Sequence, residues 1–447
     1  MGPMSSSAAE FIRQSGVVGA GGAGFPTHIK AEAKADDVIA NGAECEPLLQ
    51  KDREVMKAFP EEVLRGLSIM ADATGASRAT MALKKKHADL VSDFTLRLKN
   101  DPRTVLLALG DFYPAGDEYS LVYDATGRLI PPGGIPIQVG AVVNNVESLL
   151  NVHRAAEGLP VTDTYLTVAG AVKRPCTLKL PIGVTFAEAV ECAGGASVSD
   201  AAILDGGAMM GKVTEDLQSV VDKTSGGLIV LPKNHSTIVN KTKPREQYSR
   251  IGRSACDQCS FCTQFCPRYL LGYSIEPHRV MRSLSFAKDK SNVLSEWALL
   301  CCECSLCSLY ACPENLDPKN VCVSGKADLR EIGTLWKNAK LNTGKAPEVH
   351  PMRDYRKVPV DRLTKRLGLA QYKADAPLME PGRDFSKVRV PLKQHVGVPA
   401  KAHVRVGDRV KKGDVIGVVP ADALGAIVHA SIDGFVKSVD THVLIER

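Results

Sequence analysis

Two ordered runs of cysteine carry the chemistry this chain is equipped to do. Cys256, Cys259, Cys262 and Cys266 are followed by Pro267, and Cys301, Cys304, Cys307 and Cys312 by Pro313. The first run has the Cys-x-x-Cys-x-x-Cys-x-x-x-Cys-Pro spacing of two-cluster iron–sulfur proteins. The second has one residue more before its last cysteine. Three thiolates so closely spaced can wrap one corner of a cubane cluster, and a more distant fourth closes the site. In two-cluster proteins the last cysteine of each run ligates the cluster of the other run. The expected ligand sets are therefore Cys256, Cys259, Cys262 and Cys312 for one [4Fe–4S] cluster, and Cys301, Cys304, Cys307 and Cys266 for the other. Such centres exchange one electron at a time, so the reading is of a chain that moves single electrons.

Structural zinc also uses Cys-x-x-Cys pairs, but it needs two pairs per site and has no use for a third cysteine in step. A disulfide framework fits less well. The chain is long, its thiols are clustered, and no signal peptide is evident at its start, which together lead to the expectation of a reducing compartment. Cys302 breaks the spacing and reads as a bystander. Cys176, Cys192 and Cys322 stand alone and read as small buried apolar residues.

A second candidate site is Gly19-Ala20-Gly21-Gly22-Ala23-Gly24-Phe25-Pro26-Thr27, followed by Lys30. Four glycines in six positions let backbone N–H groups approach an anion closely. Lys30 stands at a distance suited to a phosphate or a reduced flavin. Taken alone, such a loop can equally be a turn. It lacks the strand-loop-helix context of the dinucleotide fingerprint.

These residues need elements to hold them. Val38-Ile39-Ala40 and Thr104–Leu109 are short apolar runs of the buried-strand kind. Between them Val63, Leu64, Leu67, Met70 and Ala71 recur at helical spacing, and a second helix is expected over 83–98. This pattern predicts an α/β domain with a largely parallel sheet. From Tyr165 the texture becomes β-rich. Strands are expected at 166–170, 177–180 and 181–183, and a small helix over 186–192. Lys241 to Arg253 is basic and polar and reads as a linker, and 336–385 as a connecting or wrapping segment. The last 60 residues return to β, with Val404, Val406, Val410, Val415 and Ile416 around Gly407-Asp408 and Lys412-Gly413-Asp414 turns. At 447 residues, 44% hydrophobic, the chain has room for three or more domains. No apolar run nears the roughly 18 residues that span a bilayer. The formal charge of +6 is mild and spread along the chain, which disfavours nucleic acid as a partner. Met1-Gly2-Pro3-Met4 reads as a cloning remnant and is left out of the fold.

The glycine loop is the first of four motifs that share an order with a known family. Gly-x-Gly-Gly-Ala-Gly-Phe-Pro-Thr-x-x-Lys resembles the flavin loop of the FMN-carrying, NADH-binding subunit of respiratory complex I and of the Rnf-complex C subunit. Asn41-Gly42-Ala43-Glu44-Cys45-Glu46-Pro47, Gly116-Asp117-Glu118 and Val143-Asn144-Asn145-Val146-Glu147 resemble the motifs that follow there. The resemblance implies FMN contacts from Gly19, Gly21, Gly22, Gly24, Lys30, Asn41, Glu44, Gly116, Asp117, Glu118, Asn144 and Asn145. It places Phe25 and Glu46 where nicotinamide stacks and is oriented. Ala43 stands where the complex I protein has aspartate, which removes a polar contact to the flavin. His28 is also unlike complex I; a solvated loop histidine and a functional one are both open.

Residues 165–235 resemble the SLBB β-grasp module, and 388–447, with Pro391-Leu392-x-Gln394-His395-x-Gly397-x-Pro399-Ala400, the barrel-sandwich hybrid of the Rnf C subunit. That element is lipoyl-like but shows no attachment lysine. In the Rnf protein it leads the chain; here it ends it, an order similar to the cobalamin reductases of propanediol-utilisation microcompartments. The implied layout is multidomain α/β and α+β: a Rossmann-like FMN/NADH domain (1–160), an SLBB β-grasp domain (161–240), a two-cluster helical ferredoxin-like domain (245–335), a connecting segment (336–385) and a barrel-sandwich hybrid (386–447). Two clusters at about −2 each and a flavin phosphate near −2 would leave the holoprotein near neutrality.

The implied cofactors are FMN and two [4Fe–4S] clusters, with NADH as donor and a corrinoid (cobalamin) as acceptor. A corrinoid adenosyltransferase and a microcompartment shell protein are the implied partners, in the cytoplasm inside a bacterial microcompartment. No Asp-x-His-x-x-Gly lower-ligand motif appears, so brief or docked corrinoid contact is expected. Two other readings stay open: an Rnf-like input protein exchanging electrons with ferredoxin at a membrane complex, and a non-catalytic electron conduit through a shell.

Overall fold

The computed structural model describes residues 7–286 and 293–447; the Met1–Met4 segment lies outside the described residues. The N-terminal region is built on β1 (Asp37–Gly42), β2 (Arg78–Lys84), β3 (Thr104–Leu109), the short β4 (Phe112–Tyr113) and β5 (Ala141–Asn145). Four of these form one parallel sheet in the order β3-β2-β1-β5. Successive side chains of a strand point to opposite faces. Val38 and Ala40 accordingly pack with the helices Pro60–Thr74 and Val146–Ala156, while Ile39 packs with Leu121, Val122 and Ala125 of the helix Glu118–Thr126. Covered on both faces, β1 reads as a continuous apolar run. The helix Pro60–Thr74 starts with Pro at its first position and stops at Gly75 in the left-handed region, φ 69°. The helix expected over 83–98 forms only from Ala88 to Arg97, because Leu83 and Lys84 complete β2 and are buried.

The chain winds from β1 outward to β2 and β3, then returns to place β5 on the other side of β1. That reversal puts a crevice outside the carboxyl ends of β1 and β5, the position where open α/β sheets bind ligands. Asn41 is in register with Asn145 there, and Ala40 with Asn144.

The next module holds β6 (Asp163–Gly170), β7 (Cys176–Pro181), β8 (Ala201–Asp205), β9 (Lys212–Thr214) and β10 (Gly227–Pro232), with a capping-box helix Phe186–Cys192. The expected strand at 181–183 does not form separately; β7 ends at Pro181 and the chain turns at Gly183, φ 97°. The expected linker is mostly the helix Arg245–Ala255. Short helices then carry the cysteine loops, ending in Pro318–Glu331. The residue inserted between Cys307 and Cys312 is absorbed by a π-helical turn over Cys307–Ala311, a wider turn of the kind that accommodates insertions at functional sites.

Segment 336–385 binds two modules together. Its β11 (Val358–Pro359) pairs with β4, and its β12 (Leu378–Met379) adds a parallel edge to β7. The C-terminal module comprises β13 (Lys387–Pro391), β14 (Lys401–Ala402), β15 (Arg409–Val410), β16 (Val415–Val418), β17 (Val428–His429), β18 (Gly434–Val439) and β19 (His442–Glu446), in two small sheets. The chain is thus multidomain α/β and α+β. Among the described residues no helix is long and apolar enough to cross a membrane.

Candidate functional site

The glycine loop lies beside the crevice at the ends of β1 and β5. It is closed at its base by two backbone bonds, Gly19 N–H to Phe25 O (2.9 Å) and Gly24 N–H to Gly19 O (3.1 Å). Both peptide groups of Ala20 are engaged: its N–H donates to Ser148 Oγ at 2.8 Å, and its carbonyl accepts from Lys51 Nζ at 2.7 Å. Gly21, Gly22 and Ala23 form the exposed tip. A Cβ on Gly22, φ 98°, would meet nothing within 4 Å, whereas one on Gly21 would stand 3.4 Å from Asn145 Cβ. Lys30 Nζ donates to Val143 O at 2.6 Å, and burial lowers its pKa. The Asn144 side chain is buried and its Nδ2 has no hydrogen-bond partner. An orphaned amide donor, a lysine and an open glycine cradle at one crevice suit an anionic, hydrogen-bonding ring system such as FMN.

Other expected contacts have protein partners. Asn41 Nδ2 donates to Gly116 O at 3.0 Å and its Oδ1 accepts from Ala43 N–H. Glu44 accepts from the N–H groups of Asp52 (2.9 Å) and Arg53 (3.2 Å). Burial first, and the neighbouring Asp52 second, push its pKa up to about 8. Glu46 accepts from the N–H groups of Met209 and Met210, both at 2.8 Å, in the β-rich module. Gly24 is buried against that module and the C-terminal barrel: a Cβ there would come within 2.9 Å of Thr224 Cγ2 and 3.2 Å of His395 Cα. Asp117 caps the helix that begins with Glu118, bonding Ser120 N–H at 3.2 Å. Phe25 lies with Lys30 Nζ 5.9 Å from its ring centre. His28 is not a solvated loop residue; it is buried in the helix Thr27–Ala31, and burial, then Arg13, lower its pKa.

Beneath the loop is a buried charge network that the sequence motifs mark only in part. Lys51 pairs with Glu147 at 2.9 Å, and Asp52 accepts from Asn145 Nδ2 at 2.8 Å. Glu147 also accepts from Thr164 Oγ1 and Tyr165 N–H, tying the FMN-type domain to β6. Glu147 ends the Val143–Glu147 motif, but Lys51 gives no local signal beyond its sign.

Cys256, Cys259, Cys262 and Cys312 line one small cavity, with Cys259 exposed. Cys266, Cys304 and Cys307 are buried and Cys301 partly so, and burial and neighbouring thiols, Cys301 and Cys266 among them, raise the pKa of Cys307. Among the described residues no three His, Cys, Asp or Glu side chains converge on a point as the ligands of a single metal ion would. The cavity lined by Cys256, Cys259, Cys262 and Cys312 suits a multi-atom cluster. Gln258, Ser260, Glu303 and Ser305 take positive φ in these loops, which turns the chain sharply between successive cysteines.

Two of the remaining cysteines adjoin the inner set. Cys302 is half-buried beside Cys304 and the Arg268 guanidinium, and these neighbours lower its pKa. Cys322 is fully buried in an apolar cluster, as expected, and its thiol neighbours Cys301. Arg268, one residue past Cys266-Pro267, also donates to Asp117 at 2.8 Å and lies 3.3 Å above the Tyr119 ring centre. Tyr113 Oη donates to Cys304 O at 2.9 Å. The Cys301 group is therefore fastened directly onto the parallel-sheet domain.

Comparison with known proteins agrees with this layout. Residues 12–154 match the Nuo51 FMN-binding domain, 165–213 the SLBB domain, 255–317 the 4Fe-4S dicluster domain, and 373–447 the RnfC barrel sandwich hybrid domain. Cobalamin reductase PduS of Citrobacter freundii is 42% identical over 431 residues, covering 96% of this chain and 94% of that protein. The chain belongs to the cobalamin reductase PduS family. The Salmonella typhimurium PduS protein is 41% identical over 436 residues, 97% of this chain and 95% of its own. The C component of the Na(+)-translocating ferredoxin:NAD(+) oxidoreductase complex of Acetobacterium woodii is 33% identical over 268 residues, 58% of each chain. Family and domains together make this an oxidoreductase with an FMN-binding domain and iron–sulfur clusters.

Proposed function

We propose that this protein takes electrons from NADH and delivers them, through FMN and two [4Fe–4S] clusters, to a corrinoid. The observation that carries the order is the attachment of the Cys301, Cys304, Cys307 and Cys266 set to the FMN domain through Tyr113–Cys304 and Arg268–Asp117, while Cys259 of the other set is exposed. FMN, when bound, supplies the conversion of a hydride into single electrons that clusters require. The chain's own residues position and insulate. Gly19, Gly21, Gly22, Lys30, Asn144 and Asn145 hold the flavin. Asn41, Glu44, Gly116, Asp117 and Glu118 shape the crevice wall, and Gly24 closes the base of the loop. Phe25 stacks nicotinamide, and Glu46, fixed by the Met209 and Met210 amides, orients it. Cys266, Cys304 and Cys307 of the inner set are buried, and the exposed Cys259 marks the exit side.

The corrinoid as acceptor rests on near-full-length similarity to proteins named cobalamin reductase. Reduction then takes place by brief contact or at a docked corrinoid adenosyltransferase, inside a bacterial microcompartment whose shell protein is a further partner. The test is anaerobic mixing of the FMN- and iron-loaded protein with NADH and hydroxocobalamin, followed by absorbance. The reading expects flavin and cluster bleaching together with conversion of the corrinoid to its reduced spectrum. Bleaching with an unchanged corrinoid spectrum would remove the corrinoid from the account.

A further inference from the structure

We propose that the C-terminal barrel is a positioning clamp for the flavin loop, acting through Lys223 and the Gln394–Val396 turn; the proposal rests on the loop being the FMN site. The barrel grips the loop at both ends. Before the loop, Lys223 Nζ donates to Gly16 O at 2.7 Å and to Ile427 O of the barrel at 2.8 Å. Arg13 also reaches the barrel, at Ala421 O, 2.9 Å away. After the loop tip, Val396 N–H donates to Gly24 O at 2.9 Å. The two grips are joined, because Lys223 N–H donates to Gln394 Oε1 (3.1 Å) and Gln394 Nε2 braces Pro391 O (2.8 Å).

The fit is close on both sides. A Cβ on Gly16, φ 66°, would come within 2.2 Å of Ile427 O, and one on Gly24, φ 65°, within 3.2 Å of His395 Cα. Positive φ favours glycine at both positions, and Ile427 beside Gly16 and Thr224 and His395 beside Gly24 leave no room for a side chain. Lys223 is 2% exposed, and burial lowers its pKa to about 7, yet even the neutral amine keeps two N–H donors that must be used. Here two are spent on carbonyls of two different modules, which fixes their separation. The loop tip at Gly21–Ala23 touches neither grip and stays open. A glycine-rich tip has large conformational freedom to lose on binding a ligand. Fixing its base beforehand lowers that loss, so the clamp raises affinity through preorganisation without touching the ligand. It also gives the barrel, which lacks a lipoyl-type attachment lysine, a task on this chain.

The experiment measures FMN binding by fluorescence titration of the full-length, cluster-loaded protein after flavin removal. Parent, Lys223→Met, Gln394→Ala and Gly21→Val are compared, with iron content and thermal midpoint recorded for each. Lys223→Met keeps the volume and removes both carbonyl bonds; its FMN Kd is expected about ten-fold or more above the parent's. Gln394→Ala uncouples the two grips and should raise Kd in the same direction. Iron content should stay at the parent level in both, and saturating FMN should restore the rate of flavin reduction by NADH. A role confined to folding would lower the thermal midpoint and leave Kd unmoved. Unchanged Kd in Lys223→Met and Gln394→Ala, with binding lost in Gly21→Val, would overturn the clamp and leave the flavin site standing. Unchanged Kd in Gly21→Val would instead remove the site, and the clamp with it. If Lys223→Met fails to load iron, Gln394→Ala alone decides.

Discussion

Replacing Lys51 by Met should destabilise the FMN domain far more than loss of a surface ion pair would. The Lys51 side chain is 4% exposed and pairs at 2.9 Å with Glu147, itself 1% exposed. Its Nζ also donates to Ala20 O at 2.7 Å. Methionine nearly matches the lysine stem, so packing is preserved and the change isolates the charge. What remains is the Glu147 carboxylate, buried beside Asp52 with its cation gone. Removing one partner of a buried pair costs about 3–5 kcal/mol, whereas an exposed pair such as Arg97–Asp93 is worth ~0–1 kcal/mol. The assay is urea unfolding followed by circular dichroism, on the parent, Lys51→Met, Glu147→Gln and the double variant. The amide oxygen introduced by Glu147→Gln can still accept from Thr164 and Tyr165, so the double variant should recover most of the loss. A Lys51→Met cost within ~1 kcal/mol, or a double variant no more stable than the single, would refute the reasoning.

The cofactor sites and one buried carboxyl give three further expected outcomes. The loaded parent should hold about eight iron atoms per chain, and Cys259→Ala about four, with FMN content unchanged, by iron and flavin assay. Lys30→Ala should weaken FMN binding by about 1.5–3 kcal/mol, read as an increased Kd in flavin titration. The raised pKa of Glu44, about 8, gives a signed pH effect. Its carboxyl stays protonated in the fold while the unfolded chain ionises it near the ordinary glutamate range. The stability it contributes is therefore present below that range and is lost as pH rises toward about 8. Glu44→Gln should remove this slope, so the thermal midpoint of the parent should fall relative to the variant between about pH 5 and 8; a constant difference would contradict the assignment.

What was legible in the sequence was local. Val38-Ile39-Ala40 shows as a strand because both of its faces are covered, and the Cys-x-x-Cys-x-x-Cys spacing shows because thiolates on one sharply turning loop must face one space. The extra residue before Cys312 could be counted, but not that a π-helical turn would absorb it. The contacts that were missed join residues far apart in the chain. Glu46 finds its partners 163 and 164 residues away, and Arg268 meets Asp117 across 151. Gly24 had the look of a ligand-contacting glycine in its motif, yet its neighbours are Thr224 and His395. Lys241–Arg253 looked like a linker because its polar residues outnumber its apolar ones, although Tyr248 and Gly252 suffice to bury one face of a helix there.

Cys304→Ala decides whether electrons leave the flavin only through the clusters. Parent and variant, both FMN-loaded and kept anaerobic, are mixed with NADH and hydroxocobalamin while flavin and corrinoid absorbance are followed together. Cys304 lies in the inner thiol group, at the loop that Tyr113 fastens to the FMN domain. Flavin reduction at the parent rate and a sharp fall in corrinoid reduction are expected. Corrinoid reduction at equal rates in both proteins would contradict this, since electrons would then be leaving without the clusters.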